Sequence, residues 1–195
     1  MLYCFYIIFM PKKLKINKKN LRKISPSKNY FLSLASSVIY QQISTKAGDS
    51  IYKKFLALFG KKKPTPEIYL NFSIADLKSA GISPQKSGYL RDLAEKFIDK
   101  TVNPRNFHKM SDQEIKDHLM KVKGIGPWTA DMFLIFALNR ENVLPLGDLG
   151  TKKGFQKAFN LKKLPTEKQM LKLAEPHLGG YTELTLHLWQ ILDGD

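Results

Sequence analysis

Beyond about residue 29 the apolar positions of this chain recur three and four apart, the spacing that lines one face of an α-helix. Phe31, Leu34, Ala35 and Val38 form one such face. A second helix is predicted from about Ser44, carrying Ala47, Ile51, Phe55 and Leu58 until Gly60 stops it. Lys61-Lys62-Lys63-Pro64-Thr65-Pro66 reads as a loop. Ser73 with Asp76 opens a short helix ended by Gly81, and Ser83-Pro84 opens a longer one bearing Leu90, Leu93, Ala94 and Phe97. Ser111 with Glu114, and Thr166 with Gln169, have the spacing of capping boxes and predict two further helices. A last helix is expected over roughly Thr182 to Leu192. No convincing strand alternation and no internal repeat interrupts this pattern, so the expected fold is all-α.

One inter-helix connection has a chemistry of its own. In Val122-Lys123-Gly124-Ile125-Gly126-Pro127-Trp128-Thr129-Ala130-Asp131, the two glycines can take backbone angles closed to other residues and let an anion approach the main chain. Pro127 suits the first helical position, so a helix is predicted to open there and run through Ala130, Phe133, Leu134 and Ala137. Its first amides and the positive end of its dipole would face the hairpin, with Lys121 and Lys123 beside it, which makes an anion site. Gly-x-Gly alone equally describes a tight turn between helices.

Charge enters as a second argument. Thirty-two basic residues against seventeen acidic ones give a formal net charge of +15, which favours a polyanion: DNA, RNA or an anionic membrane. Only Arg22, Arg91, Arg105 and Arg140 are arginines. Lysine makes point contacts with phosphate rather than bidentate contacts with base edges, so weak sequence preference and steep salt dependence are expected. The length of 195 residues suffices for a real core. A single cysteine, Cys4, excludes internal disulfides, multi-cysteine zinc and a four-cysteine iron–sulfur cluster. His108, His118, His177 and His187 lack ligand spacing and are expected to be surface or packing residues, with no catalytic metal. Met1 to Met10 is apolar and leads into a lysine-rich stretch from Lys12 to Lys23. It is too short to cross a bilayer and a poor secretory signal, so the protein is expected inside the cell. Translation starting at Met10 would leave the basic arm as the N-terminus.

Three motifs in one order carry a family resemblance. Tyr40-Gln41-Gln42-Ile43-Ser44-Thr45 precedes the hairpin Gly124-Ile125-Gly126-Pro127-Trp128-Thr129-Ala130, and Pro145-Leu146-Gly147-Asp148-Leu149-Gly150 follows it, with Asp148 twenty positions after Trp128. This combination closely resembles the helix-hairpin-helix DNA glycosylases, in particular the DNA-3-methyladenine glycosylase II branch, from about Tyr30 to Leu192. Ala80 to Leu90 and His187-Leu188-Trp189 are further echoes. The resemblance implies a two-lobed all-α fold with the active-site cleft between lobes, formed by residues 29–195. Residues 1–28 would be the apolar start and a basic arm, unstructured or in part untranslated. Two departures stand out. Gly179-Gly180-Tyr181-Thr182 occupies the place where relatives commonly carry a proline, an aromatic and an arginine, and Met1 to Asn29 is too short for the β-domain some members carry.

The chemistry can be argued beside the resemblance. An enzyme acting on a base within a duplex must swing the nucleotide out, and cutting the sugar–base bond builds oxocarbenium-like charge on the deoxyribose. A fixed carboxylate stabilises that charge. Asp148 is the candidate; as a plain helix N-cap ahead of Leu149-Gly150-Thr151-Lys152 it would also be well placed. The resemblance implies that Trp128 and Trp189 wall a base pocket, although packing is the usual fate of a tryptophan on an apolar helix face. It implies that Lys121, Lys123, Gly124, Ile125, Gly126 and Thr129 form the DNA-binding hairpin. It implies that Gln42 fills the gap left by the flipped base, where a hydrophilic helix end is the plainer explanation. Tryptophan at 128, where bifunctional relatives carry a Schiff-base lysine, implies a monofunctional enzyme. The function implied is excision of alkylated purines from duplex DNA by a monomer without a cofactor, apart from a monovalent cation at the hairpin carbonyls in the complex. A non-catalytic DNA-binding protein, or a glycosylase for another lesion such as hypoxanthine, remains the alternative.

Overall fold

The computed structural model describes residues 13–194; the apolar start at residues 1–10, with Cys4 and Met10, lies outside the described residues. Among the described residues the chain is helical with no strand, as the periodicity predicts. The described residues divide into two compact units: Ile24–Arg140, and a discontinuous one made of residues 13–23 with 141–194.

The continuous unit is organised around α1 (Tyr30–Tyr40), which buries Phe31, Leu34, Ala35, Val38 and Ile39 and is apolar on nearly every side that is not serine. Asn29 caps it, accepting the Leu32 N–H at 3.0 Å, while its own amide donates to the Pro64 carbonyl at 2.9 Å. Then come α2 (Thr45–Ala57), α3 (Pro66–Tyr69), α4 (Ile74–Ser79), α5 (Pro84–Ile98), α6 (Asp112–Leu119) and α7 (Pro127–Phe136). α1 packs on α2, α5 and α7, and α6 packs on α7. The capping box predicted at Ser111/Glu114 forms, and the helix start predicted at Ser73 with Asp76 proves to be a capping box as well. α3 begins inside the predicted loop: four residues are too few to show a period, and the signal present was Thr65 as cap with Pro66 at the first helical position. It places buried Tyr69 against Phe31, Phe55 and Phe72, with its hydroxyl donating to the Ser87 carbonyl at 3.1 Å.

The second unit contains α8 (Leu149–Ala158), α9 (Glu167–Ala174) and α10 (Tyr181–Asp193) around Phe155, Met170, Ala174, Leu184 and Leu188. Helix α8 meets α10 closely because Gly154 has no side chain; a Cβ there would lie 2.6 Å from the Leu188 carbonyl oxygen. The strap at residues 141–147 is pinned to α10 by three bonds: Thr182 N–H to the Glu141 carbonyl, Val143 N–H to Thr182 Oγ1, and Thr185 Oγ1 to the Val143 carbonyl.

The basic arm is placed differently from the sequence expectation. Leu14 and Ile16 pack against the core of this second unit, Gln190 donates to the Asn20 carbonyl, and Lys18 pairs with Glu183 at 2.7 Å. A boundary at 28/29 therefore separates residues 13–23 from the helices they pack on. The reason lies in two apolar residues among lysines, too few to register as an element. The Leu14 N–H donates to Nε2 of buried His177 at 3.0 Å. Burial, then Lys13 and His187, lowers the His177 pKa below the ordinary 6.5. On acidification the unfolded chain takes up a proton that the folded unit resists, so this contribution to stability is present above about pH 6.5 and is lost as pH falls through the lowered folded value. The protection factor of the Leu14 amide, its exchange rate corrected for the intrinsic pH dependence, should fall on acidification from pH 7.5 to 5.5 more than that of Leu184, and His177→Phe should abolish that difference.

No helix among the described residues is long and apolar enough to cross a membrane, and no group of three or more His, Cys, Asp or Glu side chains among them could hold a metal ion.

Candidate nucleic-acid interface and active site

Within the continuous unit the hairpin between α6 and α7 is built from both directions. Gly124 takes φ +79, and a Cβ there would overlap the Tyr89 ring, which Gln85 holds through its hydroxyl at 2.7 Å. Glycine is required at 124 on both counts. Gly126 makes no use of the angles open only to glycine: it is extended, φ −102 and ψ −179, and a Cβ would meet nothing within 4 Å. It is the N-cap of α7 and offers no side-chain acceptor to the helix's first turn. Ile125 and Thr129 turn inward and are buried, so at these two positions only the backbone can face a ligand. Lys121 and Lys123 are exposed. The Lys123 N–H is tied to the Asp92 carboxylate at 2.7 Å, and Lys96 pairs with the other oxygen of Asp92 at 2.7 Å. Despite its burial, Asp92 has a pKa below the ordinary value, because Lys96 and the Lys123 N–H bond its carboxylate.

The end of α1 reaches the same hairpin. Gln41 Nε2 donates to the Gly124 carbonyl at 2.9 Å and to Thr129 Oγ1 at 3.3 Å. Lys86 Nζ donates to the carbonyls of Ile39 and Gln41 at 2.7 and 2.8 Å. Gln42, next along, is exposed and left-handed at φ +58.

Trp128 is 44% exposed, which removes core packing as its explanation. Trp128, Met132 and Phe136 follow one another at four-residue spacing down α7. Met132, Phe133, Phe136 and Ala137 from α7, with Ser33, Ser36 and Ser37 from α1, line a cavity of about 260 Å³.

The second unit holds Asp148. Its Oδ2 accepts three bonds: the Thr151 N–H at 2.6 Å, Thr151 Oγ1 at 2.9 Å and the Trp189 indole N–H at 2.8 Å. It does cap α8, as the plainer reading expected. The indole bond is additional, and a cap does not require it. Gly150 makes room for it, since a Cβ there would lie 3.1 Å from Trp189 Nε1. Gly150 and Gly154 thus share one task at i and i+4, bringing α10 and its Trp189 down onto α8. Three donors on one oxygen suit an ionised acceptor, and they fix the carboxylate's orientation.

Residues 35–177 match the family model described as HhH-GPD superfamily base excision DNA repair protein. The chain belongs to this superfamily. It is similar to DNA-3-methyladenine glycosylase 1 of Schizosaccharomyces pombe (31% identity, covering 84% of this chain and 72% of the relative). It is also similar to the DNA-3-methyladenine glycosylase of Saccharomyces cerevisiae (33%, covering 86% and 59%). The chain thus spans less than two thirds of the length of the yeast relative. Among solved structures, the S. pombe 3-methyladenine DNA glycosylase in complex with abasic DNA matches with a TM-score of 0.80 at 30% identity, covering 89% of this chain and 86% of that one. A DNA-3-methyladenine glycosidase from Bacillus halodurans matches with a TM-score of 0.81 at 29% identity, covering 89% and 80%.

In this HhH-GPD protein the side chains that hold the candidate site in place were the ones missed from sequence. Thr151 and the Gly150/Gly154 pair carried a signal, small residues at helical spacing beside an aspartate. Gln41 and Lys86 carried none, because they meet only in the tertiary fold.

Proposed function

We propose that this protein is a monofunctional DNA glycosylase of the DNA-3-methyladenine glycosylase II type. It turns an alkylated purine such as 3-methyladenine or 7-methylguanine out of duplex DNA and hydrolyses its bond to the sugar, leaving an abasic site for base excision repair. The observation that carries this reading is the Asp148 carboxylate, held through Oδ2 by Thr151 and the Trp189 indole. The names of the relatives support the substrate class.

The bond between C1′ and the purine nitrogen breaks heterolytically, and the electron pair leaves with the base. Alkylation has already made that base cationic, so it departs as a neutral purine. Positive charge then develops on the sugar, where Asp148 stabilises it, and water adds to C1′ and loses a proton. Trp128 presents an electron-rich face to a cationic base, and the cavity lined further along α7 by Met132, Phe133 and Phe136 would receive such a base. An indole cannot form a Schiff base, so the strand stays intact. The hairpin grips the backbone through Lys121, Lys123 and the main chain of Gly124, Ile125, Gly126 and Thr129. Its carbonyls would hold a monovalent cation when DNA is bound. Gln42 fills the gap left by the base. The enzyme works as a monomer, away from membranes, in the compartment that holds the DNA, cytoplasm with nucleoid or nucleus.

The Thr151 N–H bond favours one other reading, a non-catalytic DNA-binding protein in which Asp148 only caps α8. Duplexes carrying a single 7-methylguanine, hypoxanthine or 8-oxoguanine separate the cases when free base is scored. Release of 7-methylguanine at least tenfold faster than of the neutral lesions is the expected result. A preference for hypoxanthine or 8-oxoguanine would move the substrate class, and no release from any duplex would leave the binding protein.

A further inference from the structure

Gln42 is a residue at the wrong backbone angle for its kind. It is the position after the C-cap of α1, and its φ of +58 is the left-handed conformation in which helices usually place glycine. For a residue with a Cβ that angle is disfavoured by the contact between Cβ and the following carbonyl oxygen. Such strain persists only where the surroundings over-determine it. Here the surroundings act on the preceding residue. Both ends of Gln41 are held: its side-chain amide by the Gly124 carbonyl and Thr129 Oγ1, its carbonyl by Lys86 Nζ, which also takes the Ile39 carbonyl. Lys86 thus closes the negative end of α1 with a cation, and burial lowers its pKa. The Gln42 side chain projects from this base into solvent.

We infer that Gln41 is a positioning residue that fixes the register between the phosphate hairpin and Gln42, so that seating the hairpin on a strand and inserting Gln42 are one event. The inference rests on the reading of Gln42 as the side chain that fills the vacated gap. The bond partner of Gln41 is the carbonyl of Gly124 itself, the residue whose left-handed turn shapes the hairpin. When a strand pulls on that turn the displacement passes through a single hydrogen bond to the residue adjacent to Gln42. A Gln42 held in one orientation before binding loses less conformational freedom on insertion than a free one. Gln41 touches neither base nor sugar in this scheme. Its effect appears only through Gln42.

A double-mutant cycle reads this coupling. Full-length protein is titrated with a duplex carrying a tetrahydrofuran abasic analogue opposite 2-aminopurine, following anisotropy for affinity and 2-aminopurine emission for insertion. The four proteins are wild type, Gln41→Met, Gln42→Ala and the double variant; methionine keeps the length of Gln41 and removes its amide. Gln42→Ala is expected to weaken binding about tenfold in the wild-type background and about twofold or less beside Gln41→Met, a coupling of roughly fivefold. A merely structural Gln41 would shift the unfolding temperature and the affinity but leave the effect of Gln42→Ala unchanged. Independent multiplication of the two effects overturns the inference while the gap-filling reading of Gln42 stands. An unchanged affinity for Gln42→Ala alone overturns both. Lys86→Met frees the same segment from its other side and must show the same coupling, which keeps the test sound if Gln41→Met unfolds.

Discussion

Asp148→Asn should slow release of 3-methyladenine about a thousandfold while leaving affinity for abasic-site DNA within about twofold, the upper end of what removing one preorganised electrostatic partner costs. The substitution is a clean one in this structure. An asparagine keeps an oxygen for Thr151 N–H, Thr151 Oγ1 and the Trp189 indole, so the cap on α8 and the seat of α10 survive while the charge is removed. Thermal unfolding should move by no more than a few degrees, since a cap contributes about 1 kcal/mol and most of it is retained. Base release at the wild-type rate would mean that Asp148 is only the cap. Base release and abasic binding falling together would mean that the residue serves DNA contact rather than bond cleavage.

The hairpin glycines should separate stability from DNA affinity. Gly124→Ala is expected to destabilise the continuous unit by about 2–4 kcal/mol, from the left-handed φ and the overlap with the Tyr89 ring, and DNA binding falls with it. Gly126→Val meets open space at an extended backbone, so unfolding should hardly change. Under the proposed function its side chain would nevertheless stand where a phosphate is expected to approach the main chain. Loss of one or two hydrogen bonds to a charged oxygen amounts to roughly 10- to 100-fold in affinity, equal for damaged and undamaged duplexes. Denaturation midpoints and salt-resolved binding curves check both. Wild-type affinity in a folded Gly126→Val protein would remove the hairpin as the grip.

Legibility from sequence followed locality. The capping boxes expected at Ser111 and Thr166 form, and the helix start expected at Ser73 forms as a third, because a hydroxyl three residues ahead of an acidic or amide side chain specifies its own bonds. The faces of α1 and α5 were legible from period alone. Gly124 is legible as a turn glycine, whereas for Gly126 the sequence allows either an unusual angle or open access to the main chain, and only the fold shows the ordinary extended backbone with free space beside it. The arm from Lys13 reads in sequence as lying outside the domain because nothing in its lysine-rich stretch announces that Leu14 meets His177, 163 positions away. The same holds for the site. Asp148 stood out through its motif, but the Trp189 indole reaches it only because Gly150 and Gly154 allow α10 to approach, a relation across 41 positions that composition and spacing do not carry.

The central claim is that this protein itself releases a damaged base and leaves the strand whole. Protein in excess over duplex DNA methylated at purines tests it in one reaction, with free bases separated by chromatography and the strand sized before and after alkali. The account predicts free 3-methyladenine and 7-methylguanine within a single turnover, and strand breaks that appear only after alkali. Bound DNA with no free base, or strands broken without alkali, would contradict it.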